Sequence, residues 1–145
     1  MIVPDVNLLV YAHDIQAADH VAARQWWESA VNSQVRVGLA WVVVLGFIRV
    51  TTHPSILRKP LTVLETVERI SGWLSCANVE MLDPGREHWD NLRGSMLEIG
   101  VGGNLTTDAH LAVLAREHGA ELHSSDSDFS RFVGLRWRNP LKRAK

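Results

Sequence analysis

Four aspartates in three distant segments carry the most chemically suggestive pattern in this 145-residue chain. Asp5 stands alone in PDVNLLVYA, flanked by core-like residues. Asp108 sits in TTDAHLAVLA, in the first turn of a strongly apolar stretch, and Asp126 and Asp128 stand in SSDSDF. Singly, each has a plain structural role. Asp5 can end a strand in a turn, Asp108 can complement the positive end of a helix dipole, and Asp126 can cap the short helical turn Ser127 to Phe132. Brought together, four carboxylates repel one another unless cations neutralise them. Oxygen-only ligands select hard cations such as Mg²⁺ or Mn²⁺ over zinc. A centre of that kind serves phosphodiester hydrolysis, because the cation lowers the pKa of water and offsets charge on the phosphate.

Other candidate motifs fall away on spacing. The DxD pair does not open an EF-hand loop, since position six is Arg131 rather than Gly and position twelve is Trp137 rather than Glu. The seven histidines form no zinc pattern, and His110 and His118 read as satisfied or exposed helix-edge residues. Gly102-Gly103 lacks the Lys and Ser/Thr of a phosphate-binding loop. Among the six tryptophans, Trp26, Trp73 and Trp89 fall on apolar helical faces, as core or dimer contacts rather than base-stacking platforms.

The aspartates must be positioned by strands and helices, and the hydrophobic pattern supplies them. Ile2 and Val3 make a short strand stopped at Pro4. Asp19 to Asn32 has helical spacing, with Asp19 as a cap. Val35, Val37, Leu39 and Trp41 alternate as a second strand, and a buried helix follows from Val42 to Thr52, closed by Pro54. Thr62 and Glu65 form a capping box with Leu61 as staple, predicting a helix whose inward face is Val63, Val67, Ile70, Leu74 and Ala77. Val79 to Leu82 is a third strand. Asp83-Pro84 is expected to cap and open a helix with Trp89, Leu92, Met96 and Ile99 inward and Gly100 at its end. A further helix runs from Thr107 to His118 with Gly119 as its stop. Ala120 to His123 is a fourth strand, and Leu135 to Trp137 a fifth.

Strands alternating with helices imply an α/β fold, a mostly parallel central sheet flanked by helices on both faces. Loops at the carboxyl ends of such strands form the ligand crevice, which is where Asp5, Asp126 and Asp128 fall. The length suits one domain, residues 1–145, large enough to bury roughly two-thirds of its unfolded surface. Hydrophobic and charged fractions of 46% and 21% are those of a globular protein.

A single cysteine, Cys76, excludes an internal disulfide and fits a reducing, cytoplasmic setting. No secretory leader is readable at the start. The longest apolar run, Val37 to Ile48, is too short to span a bilayer, so no membrane role is expected. Net charge is −1, but residues 131–145 hold Arg131, Arg136, Arg138, Lys142, Arg143 and Lys145 without an acid. Such a tail can follow a phosphate backbone, pair with an acidic protein segment, or simply be solvated.

At these residues the chain resembles PIN-domain proteins and, within them, VapC-type toxin ribonucleases. The resemblance rests on the strand ending in DVN with Asp5, the segment DAHLAVLAREHGAEL with Asp108, and the ending SSDSDFSRFVGLRWRNPL with Asp126 and Asp128. It implies a Mg²⁺-dependent endoribonuclease, with Mn²⁺ able to substitute. Asp5, Asp108 and Asp126 would be catalytic metal ligands, and Asp128 would contribute to the acidic pocket. Ser125 would be the residue before the aspartate, and Asn7 would orient Asp5. A small cognate antitoxin, an RNA substrate and a homodimer are the implied partners. One departure stands out. Many PIN nucleases carry a Glu on the helix that here reads VVVLGFIRV; Gly46 occupies that place, and no acid lies between Glu28 and Glu65. A weakly active or inactive domain that binds RNA or an antitoxin without cleaving is the alternative this leaves. A receiver-like signalling domain is discounted, because no lysine occurs between Lys59 and Lys142.

Overall fold

A computed structural model of the chain describes residues 1–142; Arg143 and Lys145 of the basic tail lie outside the described residues. Five strands and six helices alternate: β1 (Ile2–Pro4), α1 (Val6–His13), α2 (His20–Val31), β2 (Val37–Ala40), α3 (Trp41–Thr51), α4 (Val63–Leu74), β3 (Val79–Leu82), α5 (His88–Ile99), α6 (Leu105–Glu117), β4 (Glu121–His123) and β5 (Trp137–Arg138). A 3₁₀ turn, Ser127–Arg131, joins the last two strands.

The sheet has the order β3-β2-β1-β4-β5, and every pairing is parallel. The chain first steps outward from β1 to β2 and β3, then returns across β1 to β4 and β5. Right-handed crossovers therefore put α1 to α4 on one face and α5 and α6 on the other. The direction reverses between β1 and β4, so a crevice opens at their carboxyl ends.

Burial explains where the sequence pattern holds and where it slips. β2 is buried at all four positions, because a parallel strand inside the sheet is covered on both faces. The alternation that suggested a longer strand came from its ends: Val35 precedes β2, Trp41 opens α3, and both are exposed. The sequence pattern names no helix at Val6–His13, yet α1 is there. Its residues VNLLVYAH are apolar almost throughout, so they carry no amphipathic period, and Leu8, Leu9, Val10 and Ala12 are buried.

The capping box of α4 forms as expected, with Thr62 Oγ1 accepting from Glu65 N and Glu65 accepting from Thr62 N. Its inward face is not the expected one. Val63, Val67 and Leu74 are exposed, Ala77 lies beyond the helix, and Thr66, Ile70 and Trp73 are buried. Thr66 enters the core because its hydroxyl meets that of Thr51 at 3.3 Å, and this polar pair rotates the buried stripe.

Asp83-Pro84 does not open α5, which starts four residues later at His88. The loop's polar groups are claimed by α6 and the residue that follows it: Glu117 accepts from Gly85 N, and His118 Nε2 bonds Asp83 O at 3.0 Å. Trp89 faces outward at 69% exposure, and the inward position one and a half turns on is Ser95, held by Arg116. Leu92, Met96 and Ile99 are half-buried, and Gly100 ends the helix at φ 70°. Asp19 flanks α2 but makes no side-chain cap.

Gly38, mid-strand in β2, has a steric reason to be glycine. A Cβ there would run into the side chain of Leu82, itself buried in β3. Gly38→Ala is expected to lower stability by about 1–3 kcal/mol through overpacking, read as a lower urea midpoint with an unchanged m-value.

Candidate active site

Asp5 follows β1 and caps α1. Its carboxylate Oδ1 accepts from Val6 N at 2.7 Å, and its own N–H donates to His123 O at 2.8 Å, which ties it to the end of β4. Oδ2 accepts from the Ser124 hydroxyl at 2.7 Å. The same hydroxyl oxygen accepts from Asn7 Nδ2 at 3.2 Å and from Asp126 N at 3.0 Å. Ser124 is fully buried and joins three of the segments that matter. Its carbonyl in turn accepts from Trp137 Nε1 at 3.1 Å, so β5 holds it from the far side.

The resemblance marks Ser125 as the residue before the aspartate. Ser124 occupies the central position instead, because its side chain points inward at the end of β4 while Ser125 is half-exposed. The pleat supplies the signal that could have identified it: Leu122 and Ser124 alternate with His123, and a small polar residue at the end of a buried strand needs a partner. Asn7 acts on Asp5 through Ser124 rather than directly. Its Oδ1 is buried without a protein partner.

Asp108 stands in the first turn of α6, and buried Ala109, Leu111 and Ala112 hold that helix against the core. Its other side is fixed to α5 by a hydrogen-bonded chain. Glu117 meets His88 Nδ1 at 3.0 Å, and His88 Nε2 meets His110 Nδ1 at 2.8 Å. The pKa of His110 is lowered, first by burial and then by the facing His88. Asp126 caps the 3₁₀ turn, accepting from Asp128 N at 2.9 Å, as its sequence position suggested.

The four aspartates feel one another. Asp5 is 8% exposed, and its pKa is raised chiefly by burial, against the Ser124 and Val6 hydrogen bonds, with Asp126 adding to the rise. Asp108 is raised from 3.8 to about 6 by burial, then by the charges of Asp5, Asp126 and Asp128. Among the described residues, no three acidic, histidine or cysteine side chains stand close enough together to hold an ion as they are. The donor set nonetheless suits a hard cation: it is all oxygen, it is crowded with negative charge, and the unpartnered Asn7 Oδ1 lies beside it.

Asp5, Val6 and Asp108 line one side of a small cleft of about 110 Å³, and Val42, Gly46 and Arg49 of α3 line another. Gly46 thus faces the cleft, and a Cβ there would meet Val6 Cγ2 at 3.3 Å. The basic residues after the site divide. Arg131 and Arg138 are exposed, whereas Arg136 donates to Gly119 O at the opposite end of β4, so it cannot join a groove beside the aspartates.

Comparison with known proteins places this geometry. The family model described as PIN domain matches residues 2–135. The chain is 40% identical to ribonuclease VapC33 of Mycobacterium tuberculosis, over 98% of this chain and 99% of that one. Among solved structures, it resembles VapC20 of M. tuberculosis, described as a sarcin-ricin loop cleaving toxin. The TM-score is 0.68 at 19% identity, covering 94% of this chain and 99% of that one. It also resembles a chain of a toxin-antitoxin complex from Klebsiella pneumoniae, with TM-score 0.62 at 11% identity and coverage of 97% and 98%.

The raised pKa of Asp108 fixes the sign of a stability effect. Between pH 3.8 and about 6 the folded state keeps a proton that the unfolded state has released, so this group's contribution falls as pH rises through that window. Asp108→Asn removes the titration. The metal-free variant is expected to melt a few degrees above the wild type at pH 7, with the gap closing towards pH 4. Added Mn²⁺ should raise the wild-type melting temperature more than that of the variant.

Proposed function

This chain belongs to the PIN-domain family, and from that premise we propose that it is a metal-dependent endoribonuclease, the toxin of a toxin–antitoxin pair acting in the cytoplasm. What supports the reading most is the cleft that Asp5 and Asp108 share, with Asp126 tied to Asp5 through Ser124, in a chain related almost end to end to a named ribonuclease. A divalent cation such as Mg²⁺ or Mn²⁺, seated there, would lower the pKa of water and offset the charge that builds on the phosphate.

The chain's own residues do the rest. Ser124 and Val6 N hold Asp5 in one orientation, so its remaining lone pairs face the crevice. Asp126, anchored through its backbone to Ser124, and Asp108, at the head of α6, supply the other carboxylates. Asp128, exposed, adds negative charge at the rim. Because among the described residues no cation pairs with Asp5 or Asp108, the site gains from taking one up.

Partners of protein type are part of the proposal. Trp41 and Leu45 on α3 are exposed at 54% and 59%, and Trp89 and Leu97 on α5 at 69% and 67%. Large apolar side chains in pairs on helix surfaces suit a homodimer and an antitoxin better than a lone monomer. Among the described residues no helix is long and apolar enough to cross a membrane.

Gly46 favours a second reading, a PIN domain that binds RNA or its antitoxin without cutting, because α3 brings no carboxylate to the cleft. Purified protein incubated with total RNA and Mn²⁺, Mg²⁺ or chelator separates the two. We expect metal-dependent cleavage, lost at least a hundredfold in Asp5→Asn and in Asp108→Asn while both remain folded. Expression alone should arrest growth, and co-expression of the neighbouring small gene should relieve it. A harmless wild type that is inert towards RNA with Mn²⁺ present would leave the binding-only reading. Gly46→Glu should lower the Mn²⁺ concentration needed for half-maximal activity, since Val6 need give only a few tenths of an ångström to admit the Cβ and the position lines the cleft. A stable variant with unchanged metal dependence would place position 46 outside the site.

A further inference from the structure

Resting on the ribonuclease reading, we propose that Arg49 is a substrate-binding residue of this site, gripping a phosphate of the RNA in the cleft that Asp5 and Asp108 line. Arg49 lines the cleft that Asp5 and Asp108 line, and it does so from α3, the helix that brings no acid. It is exposed, and among the described residues it forms no ion pair with any carboxylate. The guanidinium is therefore not consumed by the chain's own structure.

Arg49 and Gly46 line the same cleft from one helix. Residue 49 lies three positions after residue 46, about 4.5 Å further along the helix axis. A helical side chain leans back over the turn that precedes it, so the Arg49 side chain leans towards the surface of residue 46. Gly46 itself is buried, with Val6 packed where its Cβ would stand, so the cleft is approached from the exposed side of the helix, where Arg49 stands. The cleft lining thus carries both signs, carboxylates suited to a metal and a guanidinium suited to a phosphodiester.

Guanidinium chemistry suits that task. Its planar fork donates two parallel N–H···O bonds to the non-bridging oxygens of a phosphate, which fixes orientation as well as charge. A competing account is that Arg49, in the last turn of α3, merely complements the negative end of the helix dipole. That role needs charge alone, and lysine would fill it.

The test compares wild type, Arg49→Lys and Arg49→Gln in three measurements. The first is Mn²⁺ binding without RNA, read as a melting-temperature shift; it should be unchanged or slightly stronger in Arg49→Gln. The second is binding of a short fluorescein-labelled RNA hairpin in Ca²⁺. Arg49→Gln should weaken it about tenfold and reduce the slope of log affinity against log salt by roughly one ion's worth, about 0.7–0.9. The third is cleavage with Mn²⁺, where kcat/KM should fall at least tenfold in Arg49→Gln, with Arg49→Lys recovering the salt slope but not the rate. If Arg49→Gln binds and cleaves like the wild type, or if Arg49→Lys is indistinguishable from it in all three, the proposal is overturned while the ribonuclease reading stands. Hairpin binding that depends on Arg49 in a protein that cleaves nothing would uphold the phosphate contact and reject the ribonuclease reading. A wild type that neither binds nor cleaves the hairpin would overturn both.

Discussion

One hydroxyl organises the candidate site. Ser124 Oγ donates to Asp5 and accepts from Asn7 and Asp126, so the ends of β1, α1 and β4 share a single buried atom. A carboxylate as buried as Asp5 would otherwise pay a desolvation cost of several kcal/mol. Three fixed dipoles reduce it: the Ser124 hydroxyl, the Val6 amide and the positive end of α1, which Asp5 caps. They do not remove it, and the pKa of Asp5 stays raised. The site is held in tension of a useful kind, rigid in geometry and unfavourable in charge, so that an entering cation is favoured by electrostatics without reorganising the protein.

The topology makes that junction possible. β1 and β4 are distant in sequence but adjacent in the sheet, with Ile2, Val3 and Pro4 opposite Glu121, Leu122 and His123. Position 5 and position 124 must then face each other at the carboxyl edge. α6 delivers Asp108 to the same edge, and its roll about its own axis is restrained by the chain from Glu117 through His88 to His110. Polar contacts on one side and small buried residues, Ala109 and Ala112, on the other leave α6 little freedom to carry Asp108 away.

Much of this was legible before the structure. The capping box of α4, the glycine stops after α5 and α6, and the places of the strands along the chain each have a local signature of a few residues. The positions of Asp5 and Asp126 after strands followed from the same pattern. What escaped was whatever depends on partners far along the chain. α1 was hidden because a helix buried nearly all round shows no period. The face of α4 was misassigned because Thr66 counts as polar until Thr51 is placed beside it. Ser124 carries no local mark of its role, because adjacent residues on a strand differ only in which face they present. Arg49 drew no notice as a cleft residue because nothing in VVVLGFIRV says which neighbour its side chain will meet.

Position 5 has two duties that separate cleanly. Its backbone geometry and one side-chain oxygen start α1; its negative charge belongs to the site. Asparagine caps a helix about as well as aspartate does, so exchanging one for the other surrenders the charge and keeps the start of the helix. Genetic drift at this position can therefore produce a chain that is chemically silent but well folded, with every outer surface intact.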